Sequence, residues 1–133
     1  MNSKIEIRVS VPIENADLDA LMSASWPNHS NLNWSAILDR SLAYVSAHSG
    51  DRVVGFVNIA WDGGVYAFIL DTTVHPDFRR QGLGKSLVEQ AKSVANQKAI
   101  EWLHVDFEPK YREFYHKCGF RPTEAGLIKL TTS

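Results

Sequence analysis

Apolar and polar positions change rhythm several times along the chain, and each change predicts an element. Ile5, Ile7 and Val9 alternate with Glu6, Arg8 and Ser10, the period of a half-buried strand. Leu18, Leu21 and Met22 then fall at helical spacing behind the candidate caps Asn15 and Asp17, and Trp26-Pro27-Asn28 closes that helix. Trp34, Ile37, Leu38 and Leu42 form a second helical stripe. Residues 43–47, 53–61 and 65–74 read as strands, separated by the turns Ser49-Gly50-Asp51 and Asp62-Gly63-Gly64. Connections this short predict an antiparallel meander. After Gly84 the period returns to that of a helix, with Leu87, Val88, Ala91, Val94 and Ala95 on one stripe. Residues 100–107 read as another strand. Pro109 opens a short helix through Tyr115, for which Gly119 is a left-handed cap. Leu127-Ile128-Lys129-Leu130 reads as a last strand. A strand, a helix and a strand in one sheet imply a right-handed crossover and a parallel pair. The sum is an α/β fold: a mixed, mostly antiparallel central sheet of about six to seven strands with helices on both faces.

Composition narrows the class. The 133 residues, 44% apolar and 22% charged, suit a single domain over 1–133, with no repeat or linker to divide it. Fourteen basic against fifteen acidic residues leave a formal charge of −1, which argues against nucleic acid as a partner. Cys118 is the one cysteine, so no intramolecular disulfide forms. The charged start lacks a signal peptide's apolar core, and no apolar run approaches the roughly 20 residues of a membrane-spanning helix. These features predict a cytoplasmic protein with no membrane partner. His29, His48, His75, His104 and His116 are scattered without metal-ligand spacing, so no metal is expected.

Chemistry concentrates between Asp71 and Lys85. A strand ends at Pro76, a basic loop carrying two glycines follows, and a long helix starts at once. Free N–H groups at a helix N-terminus favour anions. Gly82 and Gly84 remove Cβ atoms, and Arg79, Arg80 and Lys85 add charge. The physical reading is a pyrophosphate cradle. It is neither a P-loop nor a full dinucleotide fingerprint, and a solvated basic turn before a helix explains the loop equally well when it is read alone.

Some thirty residues on stands Phe114-Tyr115-His116-Lys117-Cys118-Gly119-Phe120. Together the two segments resemble the GNAT superfamily of acyl-CoA-dependent N-acyltransferases. The family's R-x-x-G-x-G falls on Arg79, Gly82 and Gly84, its V-x-P on Val74 and Pro76, and its tyrosine and G-F on Tyr115, Gly119 and Phe120. The resemblance implies that Arg79, Arg80, Gln81, Gly82, Leu83, Gly84 and Lys85 bind the pyrophosphate of acetyl-CoA. It implies that Thr72, Thr73 and Val74 pair with the pantetheine arm, in an opening where two parallel strands splay apart. A backbone N–H at or beside Val74 would polarise the thioester carbonyl. Tyr115 would protonate the departing thiolate. The implied activity is transfer of an acetyl group to a primary amine, on a small molecule or a peptide, in a ternary complex.

The chain also departs from the family. The strand positions where relatives often place a carboxylate are Phe68 and Leu70. Asp71 is the one acid on that strand, and alternation turns it to the opposite face unless a bulge shifts the phase. Glu108 stands where relatives often carry asparagine, and reads as a solvated residue near a helix start. His104 and Asp106, two apart on a strand, predict a local hydrogen-bonded pair. Trp26, Trp34, Trp61 and Phe68 are candidates for an aromatic acceptor pocket or for core. The apolar Phe68 and Leu70 keep a second function in view, a non-catalytic CoA-binding regulatory module. Short sheets with exposed edges also allow a homodimer.

Overall fold

The computed structural model describes residues 4–131. In chain order it contains β1 (Ile5–Val9), α1 (Asn15–Ser25), α2 (Trp34–Arg40), β2 (Ala43–Ser49), β3 (Arg52–Trp61), β4 (Tyr66–Val74), α3 (Leu83–Gln97), β5 (Trp102–His104) and α4 (Arg112–Lys117). Single helical turns at Pro76–Phe78 and Pro109–Tyr111 precede α3 and α4. The sheet runs β1-β2-β3-β4-β5. Every pairing is antiparallel except the last: β4 and β5 are parallel, with Tyr66, Ala67 and Phe68 opposite Trp102, Leu103 and His104.

Helices cover both faces. Leu87, Val88, Ala91 and Val94 of α3 pack on Val45, Val57, Ile59, Ala67 and Ile69, joined by Tyr115 and Cys118 of the α4 segment. On the other face Leu18, Leu21 and Met22 of α1 meet Trp34, Tyr44, Val53 and Phe56. Two side-chain bonds lock α1 to α2: Ser35 N–H donates to Asn15 Oδ1, and the Trp34 indole donates to Asp19 Oδ1 at 3.1 Å. Asn15 thus serves as a bridge, not as the cap its position predicts. α3 crosses the sheet so closely that β3 needs a glycine there. A Cβ on Gly55 would lie 2.9 Å from Leu87 Cδ1 and 3.2 Å from Ala47 Cβ. Gly55→Ala is therefore expected to destabilise the fold by about 1–3 kcal/mol, read as a lower urea midpoint with unchanged slope.

The described residues hold five strands, not six to seven. β5 keeps only Trp102–His104 of the expected 100–107, because it diverges from β4 after His104 and loses its ladder. The expected strand at Leu127–Leu130 has no partner: Leu127, Ile128 and Leu130 are 81–90% exposed. Alternation supplies a strand's pattern, but a strand also needs an edge to pair with, and Pro122 and Gly126 interrupt the segment leading there.

Candidate functional site

The splay between β4 and β5 leaves an opening in the sheet. β3 pairs with β4 along its length, but β5 leaves after Phe68, so Ile69–Val74 present an open edge on that side. Within this edge the register of β3 against β4 slips by one residue: Asn58 faces Leu70, yet Phe56 faces Thr73. The extra residue sits at Asp71, whose φ is +59°. This bulge is the condition on which the phase of Asp71 turned. Unbroken alternation would set Asp71 on the face of Ala67 and Ile69, beneath α3. The bulge takes it out of the pleat and leaves it exposed. Thr73 beyond it bonds toward α1, with Met22 Sδ at 3.4 Å. Partial desolvation of the Asp71 carboxyl by the surrounding chain raises it above the ordinary value.

At the end of β4 the chain turns into the basic loop. Gly82, left-handed at φ +77°, is the N-cap of α3, and no side chain caps that helix. The N–H groups of Leu83, Gly84 and Lys85 are therefore free for an anion. A Cβ on Gly82 would meet nothing within 4 Å, so the space before the helix end is open. Arg80 is also left-handed, at φ +63°, which wraps the loop around the helix end. Arg80, Gln81 and Lys85 are exposed there. Arg79 behaves differently. Its Nε donates to Val74 O at 3.0 Å and its Nη2 to Ser25 O at 3.5 Å, so it braces the end of β4 against the end of α1.

Tyr115 faces the same opening from α4. Its ring stacks on Phe107 at 4.9 Å and meets Phe114 and Phe120 edge-on. Burial raises its phenol above the ordinary value, and the nearby Thr72 hydroxyl opposes that rise in part. Thr72 Oγ1 is itself sealed from solvent without a well-formed hydrogen bond. The fold thus gathers an open strand edge, an uncapped helix end and a neutral phenol. That arrangement can hold an anionic group at one end, pair an extended chain along β4, and deliver a proton.

Other sequence candidates lie elsewhere. Trp34 is core, 1% exposed and edge-on to Phe56, so it lines no pocket. His104 makes no bond to Asp106; it stacks on Phe68 at 4.8 Å and lies near Tyr66. Glu108 makes only an exposed ion pair with Lys110. Cys118 is buried, and burial pushes its thiol up, which suits packing rather than nucleophilic attack. Sequence reading missed Trp26 as a partner of β4: its indole N–H donates to Thr73 Oγ1 at 2.9 Å across 47 positions. No local pattern signals a bond at that separation.

Comparison with known proteins adds a family. The model of the GNAT acetyltransferase domain matches residues 39–122. An uncharacterized N-acetyltransferase of Porphyra purpurea is 39% identical over 72 residues, covering 54% of this chain and 41% of that protein. A histone acetyltransferase of Glycine max is 28% identical over 123 residues, covering 84% and 53%. The chain spans about half the length of these curated relatives. A solved GNAT-family acetyltransferase of Streptococcus pneumoniae superposes with a TM-score of 0.79 at 28% identity, covering 98% of this chain and 100% of that one. An aminoglycoside N-acetyltransferase solved with CoA shares the fold, with a TM-score of 0.77 at 19% identity over 100% and 98% of the two chains.

Proposed function

The chain belongs to the GNAT family of acetyltransferases, and on that premise we propose that it moves the acetyl group of acetyl-CoA to a primary amine by direct transfer. The observation that carries the reading is the coincidence of an open β4 edge, an uncapped α3 N-terminus at Gly82 and the Tyr115 phenol around one opening. The N–H groups of Leu83, Gly84 and Lys85, with Arg80 and Lys85 beside them, hold the pyrophosphate. Thr72, Thr73 and Val74 pair with the pantetheine amides, and a backbone N–H at or beside Val74 polarises the thioester carbonyl. As the amine nitrogen bonds to that carbon, the C–S bond breaks and Tyr115 protonates the sulfur. The amine's surplus proton passes to Asp71, directly or through water. Arg79 contributes as a brace of β4. The amine comes from a small molecule or a peptide, and the half-exposed Trp26, Phe68 and Leu70 offer it an apolar approach with room for cation–π contact.

A role for Asp71 as proton acceptor has a pH signature. Only the carboxylate accepts a proton, so kcat falls as pH drops through the raised Asp71 value. Asp71→Asn is expected to remove that acidic limb and to lower kcat by roughly tenfold or more, seen in a pH–rate profile. Stability moves the other way. Folding disfavours the ionised form, a cost present above the raised folded value and gone once pH falls below the unfolded value near 3.8. Asp71→Asn therefore raises the thermal midpoint at neutral pH, and the gain disappears in acid.

A second reading, a regulatory module that binds CoA without turnover, draws on the apolar Phe68 and Leu70 where relatives often carry a base. Steady-state transfer to a panel of amines separates the two: turnover excludes the module, and tight binding with no turnover across the panel excludes the enzyme.

A further inference from the structure

We propose that Trp26 is a positioning residue that couples the acceptor side of the site to the thioester strand by fixing the Asp71 bulge, an inference that rests on the acetyl-transfer reading. Trp26 lies where α1 ends and the connection to α2 begins. Its ring is 38% exposed, so burial alone does not account for a tryptophan there. Its N–H reaches into the sheet and donates to Thr73 Oγ1 at 2.9 Å. Thr73 is 2% exposed, and its hydroxyl lies 3.0 Å from Asp71 O, with Met22 Sδ at 3.4 Å alongside. With a lone pair taken by the indole N–H, the hydroxyl's one hydrogen goes to the Asp71 carbonyl at 3.0 Å, a stronger acceptor than the Met22 thioether at 3.4 Å. That carbonyl belongs to the left-handed residue at the register slip. A non-glycine residue keeps this conformation only where its surroundings over-determine it. The chain Trp26 to Thr73 to Asp71 supplies that determination from outside β4.

Arg79 ties the same two segments, from Val74 O to Ser25 O. The bulged stretch is thus anchored through Thr73 and Val74 to the end of α1, at Trp26 and Ser25. Movement of the segment after Trp26, when an acceptor arrives, is transmitted to the strand whose N–H groups face the thioester. The pyrophosphate cradle lies beyond Val74 and does not depend on the indole. Loss of the tie is therefore read in kcat rather than in affinity for acetyl-CoA.

Trp26→Phe keeps an aromatic ring and deletes the N–H. The expected result is a fall in kcat of about fivefold to tenfold, the size of one lost hydrogen bond, with KM for acetyl-CoA within about twofold. Amide exchange at Thr72, Thr73 and Val74 quickens in the same variant. Thr73→Val, which deletes the hydroxyl, lowers kcat and quickens exchange in the same way, and adding Trp26→Phe to it costs nothing further. Unchanged exchange at those amides in Trp26→Phe overturns the proposal, as does an unchanged kcat per folded molecule. If the wild type acetylates no amine, the acetyl-transfer reading fails, and the exchange measurement still decides whether Trp26 holds the bulge.

Discussion

Tyr115→Phe lowers kcat by about a hundredfold or more while acetyl-CoA binds as tightly as before. The ring keeps its stack on Phe107 and its edge contacts with Phe114 and Phe120, so the shape of the opening is retained. What is lost is the proton that neutralises the leaving sulfur. A thiol has an ordinary pKa near 8.5 and a phenol near 10, so unassisted departure leaves a charged thiolate, and general acid catalysis is worth about 10²–10⁴. Burial holds the Tyr115 phenol above its ordinary value, so it stays neutral and able to donate across the physiological range. An alkaline limb in the wild-type pH–rate profile, absent from the variant, accompanies the loss. Stability changes by no more than about 1 kcal/mol, because the hydroxyl has only a weak partner in Thr72. Rapid-quench or thiol-release kinetics, paired with calorimetric binding, give both halves of the result.

Gly82→Trp weakens acetyl-CoA binding by at least about a hundredfold, roughly 2.7 kcal/mol. Two effects must be separated. Gly82 has φ +77°, so any L side chain there is strained by about 1–2 kcal/mol. A Cβ at that position meets no atom within 4 Å, so the fold accommodates the indole. The indole then occupies the space in front of the Leu83, Gly84 and Lys85 N–H groups, where the phosphates are proposed to sit. Gly63 provides the control: its φ is +85°, its Cβ also meets nothing, and it lies in the β3–β4 turn at the far end of β4. Gly63→Trp carries similar strain without blocking the cradle, so it leaves acetyl-CoA affinity unchanged while lowering the thermal midpoint comparably.

Local signals carried most of the fold. The alternation of β1, the turn-bounded runs of β2 to β4, the stripe of α3 and the glycines around its start depend on residues close in sequence, and each appears where the pattern places it. The parallel pair followed from one chirality rule applied to β4, α3 and β5. The bulge was not legible, because it is a mismatch between two strands: nothing within residues 66–74 says that Val57 faces two residues of β4. That single slip decides where Asp71 goes. Arg79 illustrates a second limit. Its position in a basic, glycine-bearing loop reads as phosphate binding, and nothing in that loop announces that two of the five guanidinium donors reach the carbonyls of Val74 and Ser25. Trp34 and Trp26 are both tryptophans beside the same connection, yet one is core and the other faces solvent with its N–H in the sheet. Burial on that scale is set by how α1 and α2 meet, which the stripe of each helix does not determine. The tail is the reverse case, a strand pattern at Leu127–Leu130 for which the fold supplies no edge.

Calorimetric titration of acetyl-CoA into the wild-type chain, beside Gly82→Trp and Gly63→Trp, tests the central claim most directly. One-site binding in the wild type that persists in Gly63→Trp and is lost in Gly82→Trp is the predicted result. Absence of saturable binding in the wild type, or equal affinity in Gly82→Trp, contradicts the assignment of the α3 N-terminus as the pyrophosphate cradle.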